Sequence, residues 1–551
     1  MKLGGSVFRY DSVFWLGLGY EVLSLYFDNR MLVGGINSCW MSFCIISNLS
    51  VLAVVFAHVV GKRETIYISE TTLLLGGVTI VLTVLTLFVG NSNQELLVLN
   101  SLLIFLIMVV CVSKYVDIVY IYSFLIQIHA AVNVVYYLYV KIFNGTIPVD
   151  ENTVGLSLAL SLGCIVALND ILYKPNSRYM AVRYVYVLFM ITGLFYIKSR
   201  IGIIAVIIVL LLFSKKKSFR LLLCVCIMGV LMLFYGKKES TLGRCFIYST
   251  SVKMIVEKPS LALTGGGKNY FERNYMLYQA KALEHADKDV IKRADNIRHP
   301  LNEFLLVTID YGGVICLSAI LCLYFLVKET ESGILRWSVI VIAIFACFSY
   351  PFKYPISWIA LAFALSSIVD KSRGRVCNCS VCLLGIVPMC LLIMSVMITN
   401  SYFTWRKAYD YAEVGDIHKA EYYYSLLREK LNADDMFMYN YAHFLSMNKK
   451  NDQALETVAE ITINDYDTEL LKGELYRIQE KYHEAIVHYT MAHRMCPNRI
   501  IPVYALYTIY KNKSDVRKQK YWGVKAITMP MKVYSKEVEY IKLQIKKEIC
   551  V

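Results

Sequence analysis

Polar side chains open several apolar segments of this chain, and one of these segments combines a histidine with an asparagine. The sequence RHPLNEFLLVTIDYGG begins at Arg298 and places His299 and Asn302 directly before an apolar run. An imidazole changes protonation near neutral pH and can accept a proton from an attacking hydroxyl. Asn302 would share a face with His299 if the helix has already begun, and could then orient the imidazole or the acceptor. We therefore predict that both residues are catalytic.

Arginines stand at two similar boundaries. Ser199 and Arg200 open an apolar run within KSRIG, and Arg244 starts the amphipathic stretch RCFIYSTSVKMI. The planar guanidinium group binds phosphate oxygens in pairs. We predict that these residues, together with Arg298, bind a diphosphate and stabilise the charge that builds when it leaves. Catalysis would then rest on positioning, electrostatics and one general base.

Each of these residues also has a structural alternative. Arg200 can anchor a helix by extending its charge to the membrane interface, Arg244 can be a surface charge on a long loop, and His299 can be a polar helix start. The glycines of GGGKNYF (265–271) lack the spacing and the Lys-Ser/Thr pair of a phosphate-binding loop, so they predict a tight turn. We find no HExxH motif in the sequence and predict neither a metal nor a cofactor.

The composition places the chain in a membrane. Of its 551 residues 57% are hydrophobic and 18% are charged, whereas about a quarter are charged in soluble domains. Between Asp11 and Asn400 we find about thirteen apolar stretches of roughly the length that crosses the hydrocarbon core, the first near 11–28. We predict an all-α polytopic bundle of about 12–13 spans, with a large outer loop over 236–300.

The net charge of +15 indicates positive-inside topology. It does not indicate nucleic-acid binding, because the basic residues lie in short loops and form no continuous stripe. The basic loops that alternate along the chain are 61–64, 173–183, 215–220, 328–336 and 371–375. If these loops are cytoplasmic, Ser199, Arg200 and the loop 236–300 face outward. A final span near 378–399 would then leave the rest of the chain on the outer face.

Beyond residue 400 the sequence has the character of a helical repeat. The segment 470–498 matches the offsets of the tetratricopeptide pattern. Its matching residues are Gly473, Tyr476, Ala485, Tyr489, Ala492 and Pro497. Related units surround Ala420, Ala454 and Ala526, and the first two of these alanines are 34 residues apart, which is one repeat.

The repeats predict two domains, a membrane domain over 1–400 and a tetratricopeptide-like domain over 401–551. Repeats of this kind stack into a continuous core with a concave face. That face can be a docking surface for a protein partner. Alternatively, the repeats can be a lid or brace that packs on the membrane domain.

The order and spacing of the motifs resemble the O-antigen ligase/polymerase superfamily, which includes the protein O-oligosaccharyltransferases. The matching segments are SRIG, LGR at the start of the outer loop, the proline followed by GGGKNYF, and RHPLNEFLLVTIDYGG, and they lie within 155–370. The family transfers a glycan from a polyprenyl diphosphate carrier, usually undecaprenyl, to an acceptor hydroxyl on the outer face of the inner membrane. It implies neither a metal nor a nucleotide.

The resemblance implies a role for individual residues by position. Arg200 and Arg244 resemble the arginines that bind the pyrophosphate. His299 resembles the catalytic histidine, and Asn302 resembles the asparagine that follows it.

The chain departs from the family pattern at two positions. Many members carry a histidine immediately before the asparagine, where this chain has Leu301. Many members also carry a tryptophan in the stretch after the GR motif, where this chain has Tyr248. An aromatic ring is thus kept at the second position, whereas the first leaves His299 as the single histidine of the motif.

The resemblance implies a metal-independent, GT-C-like glycosyltransferase of lipopolysaccharide biosynthesis in the bacterial inner membrane. The loop topology would then place the repeats in the periplasm. The acceptor stays open. A lipid A-core sugar would make the chain an O-antigen ligase, a protein Ser/Thr would make it a protein O-oligosaccharyltransferase, and a growing glycan would make it a polymerase.

Two other classes also stay open. A transporter or flippase would carry paired charges within its spans, where Asp170 and Asp310 are the nearest candidates and neither has an evident partner in the sequence. A non-catalytic membrane scaffold that presents the repeats would tolerate alanine at Arg200, Arg244 and His299.

Overall fold

Helices form nearly all of the regular structure in the computed structural model, and the all-α class predicted from the sequence is confirmed. The structure describes residues 10–32, 36–60, 66–89, 94–113, 117–143, 153–173, 179–213, 238–369, 374–377, 385–531 and 535–549. A short antiparallel pair joins β1 (Ile66–Ser69) to β2 (Gly374–Cys377). The basic loops predicted at 61–64 and 215–220 lie outside the described residues.

The helices fall into three consecutive stretches of sequence. The first contains α1 (Tyr10–Arg30), α2 (Ile36–Val60), α3 (Glu70–Val89), α4 (Gln94–Val112), α5 (Ile118–Phe143), α6 (Thr153–Tyr173), α7 (Met180–Tyr196) and α8 (Arg200–Phe213). The second contains α9 (Lys238–Glu257), α10 (Ser260–Leu263), α11 (Tyr270–Leu283), α12 (Lys288–Arg293), α13 (Glu303–Tyr311), α14 (Gly313–Glu329), α15 (Gly333–Phe348) and α16 (Pro355–Ile368). The third contains α17 (Ile386–Val414), α18 (Ile417–Arg428), α19 (Asp435–Met447), α20 (Asn451–Ala459), α21 (Tyr466–Ile478), α22 (Tyr482–Met495), α23 (Ile500–Asn512), α24 (Val516–Thr528) and α25 (Lys536–Ile549).

Several of these helices are suited to a lipid bilayer. In the described part of the chain, those long and apolar enough to cross a membrane are Asn37–Phe56, Gln94–Val112, Ile118–Phe143, Thr153–Leu172 and Ile386–Val414. Shorter apolar helices of 10–17 residues are Leu75–Leu85, Met180–Tyr196, Arg200–Leu212, Gly333–Phe348 and Pro355–Ile368. Their length and composition support a polytopic membrane protein, and the total number of spans stays a prediction.

The chain divides into two compact units, and the division differs from the boundary predicted at residue 400. One unit contains 1–234 and 319–433, and the other contains 235–318 and 434–551. Helix α17 continues without a break through residue 400. The outer loop joins the second unit because its apolar side chains, such as Phe271, are buried in one core with Met495 of the repeats. Residues 401–433 thus fall in the first of these units, and the two domains over 1–400 and 401–551 stay a prediction.

The repeat pattern is realised as a pair of closely packed helices. Gly473 on α21 faces the ring of Tyr489 on α22, and a Cβ atom at Gly473 would lie 2.9 Å from that ring. Ala485 and Ala492 are fully buried on α22. The small residues of the pattern thus allow the two helices to approach each other.

The related units predicted from single alanines are also helical. Ala420, Ala454 and Ala526 lie on α18, α20 and α24, and each is fully buried. The structure therefore confirms helices with a buried small residue at each predicted position.

Gly473→Val should destabilise the α21–α22 pair by about 1–3 kcal/mol, because the added methyl groups meet the Tyr489 ring. Hydrogen exchange of α21 and α22 in the full-length protein measures this loss. Val487→Ala on α22 is the control, since Val487 is 52% exposed and its truncation should change stability by less than about 0.5 kcal/mol. Equal protection in Gly473→Val and the unaltered chain would show that the close approach is not required.

Candidate functional site

The candidate site is the turn over residues 298–302 that leads into α13. Leu301 adopts a left-handed backbone conformation with φ +56°, which costs a non-glycine residue roughly 1–2 kcal/mol. Its N–H donates to Nδ1 of His299 over 2.9 Å, and its carbonyl accepts from the Tyr248 hydroxyl over 3.2 Å. The strained residue therefore fixes an imidazole on one side and a tyrosine of α9 on the other.

The Leu301 N–H also determines which nitrogen of His299 carries the proton. His299 is only 8% exposed. Because Nδ1 accepts a hydrogen bond, its lone pair is occupied and the neutral imidazole carries its hydrogen on Nε2. In this geometry His299 presents a hydrogen-bond donor at Nε2.

Glu303, which the sequence analysis did not single out, lies next to this donor. Its Oε2 is 3.8 Å from Nε2 of His299, and its side chain is 6% exposed. A carboxylate is rarely buried to this extent unless it is paired or functional. The signal in the sequence was an acidic residue directly after Asn302 and directly before an apolar run.

Asn302 is the N-cap of α13. Its Oδ1 accepts a hydrogen bond of 2.9 Å from the Leu305 N–H, and the helix begins at Glu303. His299 therefore lies in the preceding turn and does not share a helical face with Asn302, so the condition on which we based their common face is not met. The amide fixes the start of the helix that carries Glu303.

Arg298 is directed to the repeats of the same compact unit. Its guanidinium donates to Oδ2 of Asp465 over 2.7 Å, and the Asp465 side chain is 1% exposed. Asn296 also donates to this carboxylate, over 3.2 Å. Asp465 thus offsets the positive charge of Arg298, which we predicted to bind a diphosphate.

Burial and charge act in opposite directions on Asp465. Burial raises the pKa of this carboxyl group, but the Arg298 guanidinium and the Thr468 N–H outweigh it and hold the pKa below its ordinary value. The neighbouring Asp467 has a raised pKa because of its burial and the charge of Asp465. The ionised form of Asp465 is therefore the one that joins the outer loop to the repeats.

Helix α9 places Arg244 close to the anchor of the turn. The buried face of α9 contains two apolar residues, Ile247 and Met254, and two hydroxyl residues, Thr250 and Ser251, so burial on this face does not follow an apolar pattern. Arg244 precedes Tyr248 by one turn, about 6 Å along the helix axis, and is half-buried. Because the Tyr248 hydroxyl contacts Leu301, α9 holds Arg244 near the candidate site.

The glycines of the GGGKNYF segment form a turn, as predicted. Gly265 and Gly267 have φ +72° and +91°. The N–H groups of Gly266 and Gly267 each donate over 2.9 Å, to the carbonyls of Ile309 and Asp310. The turn therefore joins the start of α11 to the end of α13, and so braces the helix that carries Glu303.

Both carboxylates for which the sequence showed no evident partner do have one. Oδ1 of Asp310 accepts from the Phe271 N–H over 2.9 Å, which ties α11 to α13. Oδ2 of Asp170 on α6 lies 3.3 Å from the guanidinium of Arg183 on α7. The structure therefore identifies partners that the sequence did not show.

In the other compact unit, Ser199 and Arg200 stand at the start of α8. The Ser199 hydroxyl accepts from the Gly202 N–H over 3.2 Å and contacts the Ser157 hydroxyl on α6. A Cβ atom at Gly202 would lie 2.6 Å from the Ser157 oxygen. Ser199 therefore caps α8 and connects it to α6. The half-buried Arg200 stands at the N-terminus of α8, where positive potential attracts anions.

This unit also contains a carboxylate–imidazole pair midway along α1 and α5. Oε1 of Glu21 lies 2.6 Å from Nδ1 of His129, and Asn133 donates to Oε2 of Glu21 over 3.3 Å. Glu21 and His129 line a cavity of about 200 Å³ whose other lining residues are mostly apolar, among them Phe43 and Phe105. Ionisable groups at such positions in membrane helices are costly and indicate function.

The described residues hold no group of three or more His, Cys, Asp or Glu side chains placed to bind a metal ion. No protein-family model matches the chain, and no curated protein matches it. The resemblance to the O-antigen ligase/polymerase superfamily therefore stays a prediction that rests on the motifs.

The contact between Arg298 and Asp465 makes the attachment of the turn to the repeats sensitive to pH. Because the folded pKa of Asp465 is depressed, its contribution is fully present above the ordinary value of 3.8 and is lost as the pH falls through the folded pKa. Asp465→Asn should weaken the attachment by about 1–3 kcal/mol and flatten this acid dependence. Hydrogen exchange of residues 295–302 at several pH values measures both effects.

Two further variants control this prediction. Asp289→Asn changes an exposed carboxylate of the same loop and should leave the exchange unchanged. Asp467→Asn should make the acid dependence steeper, since the raised pKa of Asp467 contributes with the opposite sign. An unaltered pH profile in Asp465→Asn would contradict the assignment.

Proposed function

We propose that the chain transfers a glycan from a polyprenyl diphosphate carrier, usually undecaprenyl, to an acceptor hydroxyl at the outer face of a bacterial inner membrane, as an O-antigen ligase does. The main support is the turn at 298–303, where the buried imidazole of His299 stands 3.8 Å from the buried carboxylate of Glu303. A pair of this kind can manage the proton of a hydroxyl group, which the reaction requires.

In this proposal Arg244, which is half-buried in the second turn of α9, binds the diphosphate of the donor. Arg200 opens α8 in the other compact unit, and its role at the diphosphate stays what the resemblance implies. A guanidinium group can offer two parallel hydrogen bonds to phosphate oxygens. We do not assign Arg298 to the donor, because it forms an ion pair with Asp465. We do not assign Ser199 to the donor, because its hydroxyl caps α8.

The chemistry is a substitution at the anomeric carbon. The acceptor oxygen forms a bond to this carbon, and the bond to the diphosphate oxygen breaks with its electron pair, so that polyprenyl diphosphate leaves and the configuration inverts. Guanidinium groups placed at the departing diphosphate stabilise its growing negative charge. The favoured acceptor is a lipid A-core sugar, and a protein hydroxyl or a growing glycan are the alternatives.

The repeats support the role of a brace for the outer loop. Gln279 on α11 donates to the Met495 carbonyl over 2.9 Å, and Asn498 donates to the Ala294 carbonyl over 2.8 Å. In this proposal the repeats lie in the periplasm, where they hold the loop that carries Arg244 and His299. A protein partner would bind the repeat surface that the loop leaves exposed.

Arg244→Ala should lower kcat/KM for glycan transfer by about 10²-fold or more. The kcat/KM of Arg244→Lys should lie between those of Arg244→Ala and the unaltered chain, because a lysine keeps the charge and loses the paired hydrogen bonds. The assay follows a labelled glycan from undecaprenyl diphosphate to a lipid A-core acceptor in vesicles containing the full chain. Arg517→Ala, at an exposed arginine of α24, is the control. Full activity of Arg244→Ala would contradict the assignment.

A second candidate function, movement of a lipid between leaflets, is favoured by the pairing of Glu21 on α1 with His129, which lies midway along the candidate membrane span α5. A flippase should move a fluorescent polyprenyl diphosphate lipid across vesicles faster than protein-free vesicles do, and Glu21→Gln should slow it. If the chain is a glycan transferase and not a flippase, the lipid should cross vesicles that contain the unaltered chain or Glu21→Gln no faster than it crosses protein-free vesicles.

A further inference from the structure

We infer that Glu303 is the proton acceptor of the reaction and that His299 donates a hydrogen bond to the same acceptor hydroxyl. This inference rests on the glycan transfer proposed above and assigns its proton to an atom. It reverses the role that the sequence indicated for His299. Three features of the turn carry it: the hydrogen bond at Nδ1, the separation of the two side chains and the position of Glu303 on α13.

The first feature is the hydrogen bond that His299 accepts from Leu301. To take a proton at Nδ1, the ring would have to lose this bond of 2.9 Å and face the backbone N–H with a second donor. The new Nδ1 hydrogen would point at the Leu301 N–H, and two donors that face each other cost free energy. Nε2 already carries hydrogen in the neutral ring, so neither nitrogen is suited to accept the proton of a substrate.

The second feature is the separation of 3.8 Å between Nε2 of His299 and Oε2 of Glu303. This is longer than a hydrogen bond, but one oxygen atom can lie about 2.8 Å from both atoms. Such an oxygen accepts from the Nε2 hydrogen and donates to the carboxylate. An acceptor hydroxyl satisfies both requirements at once, and its proton then points at Glu303.

The third feature is the position of Glu303 in the first turn of α13. Asn302 caps this helix, and the free N–H groups of a helix start stabilise a carboxylate in its ionised form. Glu303 therefore lies where the start of the helix favours a negatively charged group. A carboxylate beside the acceptor hydroxyl is a group that can accept its proton.

The acceptor O–H bond breaks and its proton moves to Oε2 of Glu303, which becomes a neutral carboxylic acid. The acceptor oxygen uses an electron pair to form a bond to the anomeric carbon. The bond between that carbon and the diphosphate oxygen breaks, and its electron pair stays on the departing oxygen. The negative charge thus moves from Glu303 to the diphosphate, and the carboxylic acid later releases its proton to water.

The test compares two glutamine variants of the full chain in the vesicle assay. Glu303→Gln keeps the shape of the side chain and removes the proton acceptor, so kcat should fall by about 10²–10⁴-fold with little change in the KM for the donor. His299→Gln keeps an N–H donor near the position of Nε2, and its rate should stay within about tenfold of the unaltered chain.

Matched variants separate chemistry from folding. Glu257→Gln alters a carboxylate on α9 that is 49% exposed and should transfer glycan normally. Glu303→Asp keeps a carboxylate and should be more active than Glu303→Gln. Thermal unfolding of each purified variant identifies any loss of folded protein.

The opposite assignment predicts the reverse order of activity. If Glu303→Gln is nearly as active as the unaltered chain while His299→Gln is as inactive as His299→Ala, the imidazole is the base. That result overturns this inference and leaves the proposed function intact. Equal activity of Glu303→Asp and Glu303→Gln would also overturn it. If the unaltered chain transfers no glycan, the proposed function fails and this inference fails with it.

Discussion

The hydrogen bond from the Leu301 N–H to Nδ1 of His299 is the contact on which the rest of the candidate site depends. It requires a left-handed backbone at a leucine, a conformation that such residues seldom adopt without support from their surroundings. It also fixes the tautomer of a buried imidazole. The hydrogen-bond donor that His299 can offer to a substrate beside Glu303 follows from this tautomer.

The second compact unit supplies the support that this strained turn needs. Tyr248 holds the Leu301 carbonyl from α9, and Asn302 caps the helix that follows. The glycine turn at 265–267 donates hydrogen bonds to the C-terminal end of that helix. Before the helix, Arg298 forms an ion pair with Asp465 of the repeats. These contacts together hold the turn in place. The ion pair of Arg298 with Asp465 also connects the outer loop to the repeats.

Local patterns were sufficient to predict the helical class, the small residues between paired helices and the glycine turn, since each depends on neighbours along the chain. Contacts between distant segments were not predictable in this way. Arg298 and Asp465 are 167 residues apart, so nothing in the motif showed that Arg298 would be neutralised. The extension of α17 through residue 400 was missed because a change in composition does not end a helix.

Nitrogen NMR of the full-length protein labelled at its histidine nitrogens tests the central contact most directly, with Leu301→Gly as a comparison that keeps the N–H and relieves the strain. The account predicts that His299 gives the signals of a neutral ring with hydrogen on Nε2 and a hydrogen-bonded, unprotonated Nδ1 in both proteins. A ring with hydrogen on Nδ1, or one that exchanges between tautomers, would contradict it.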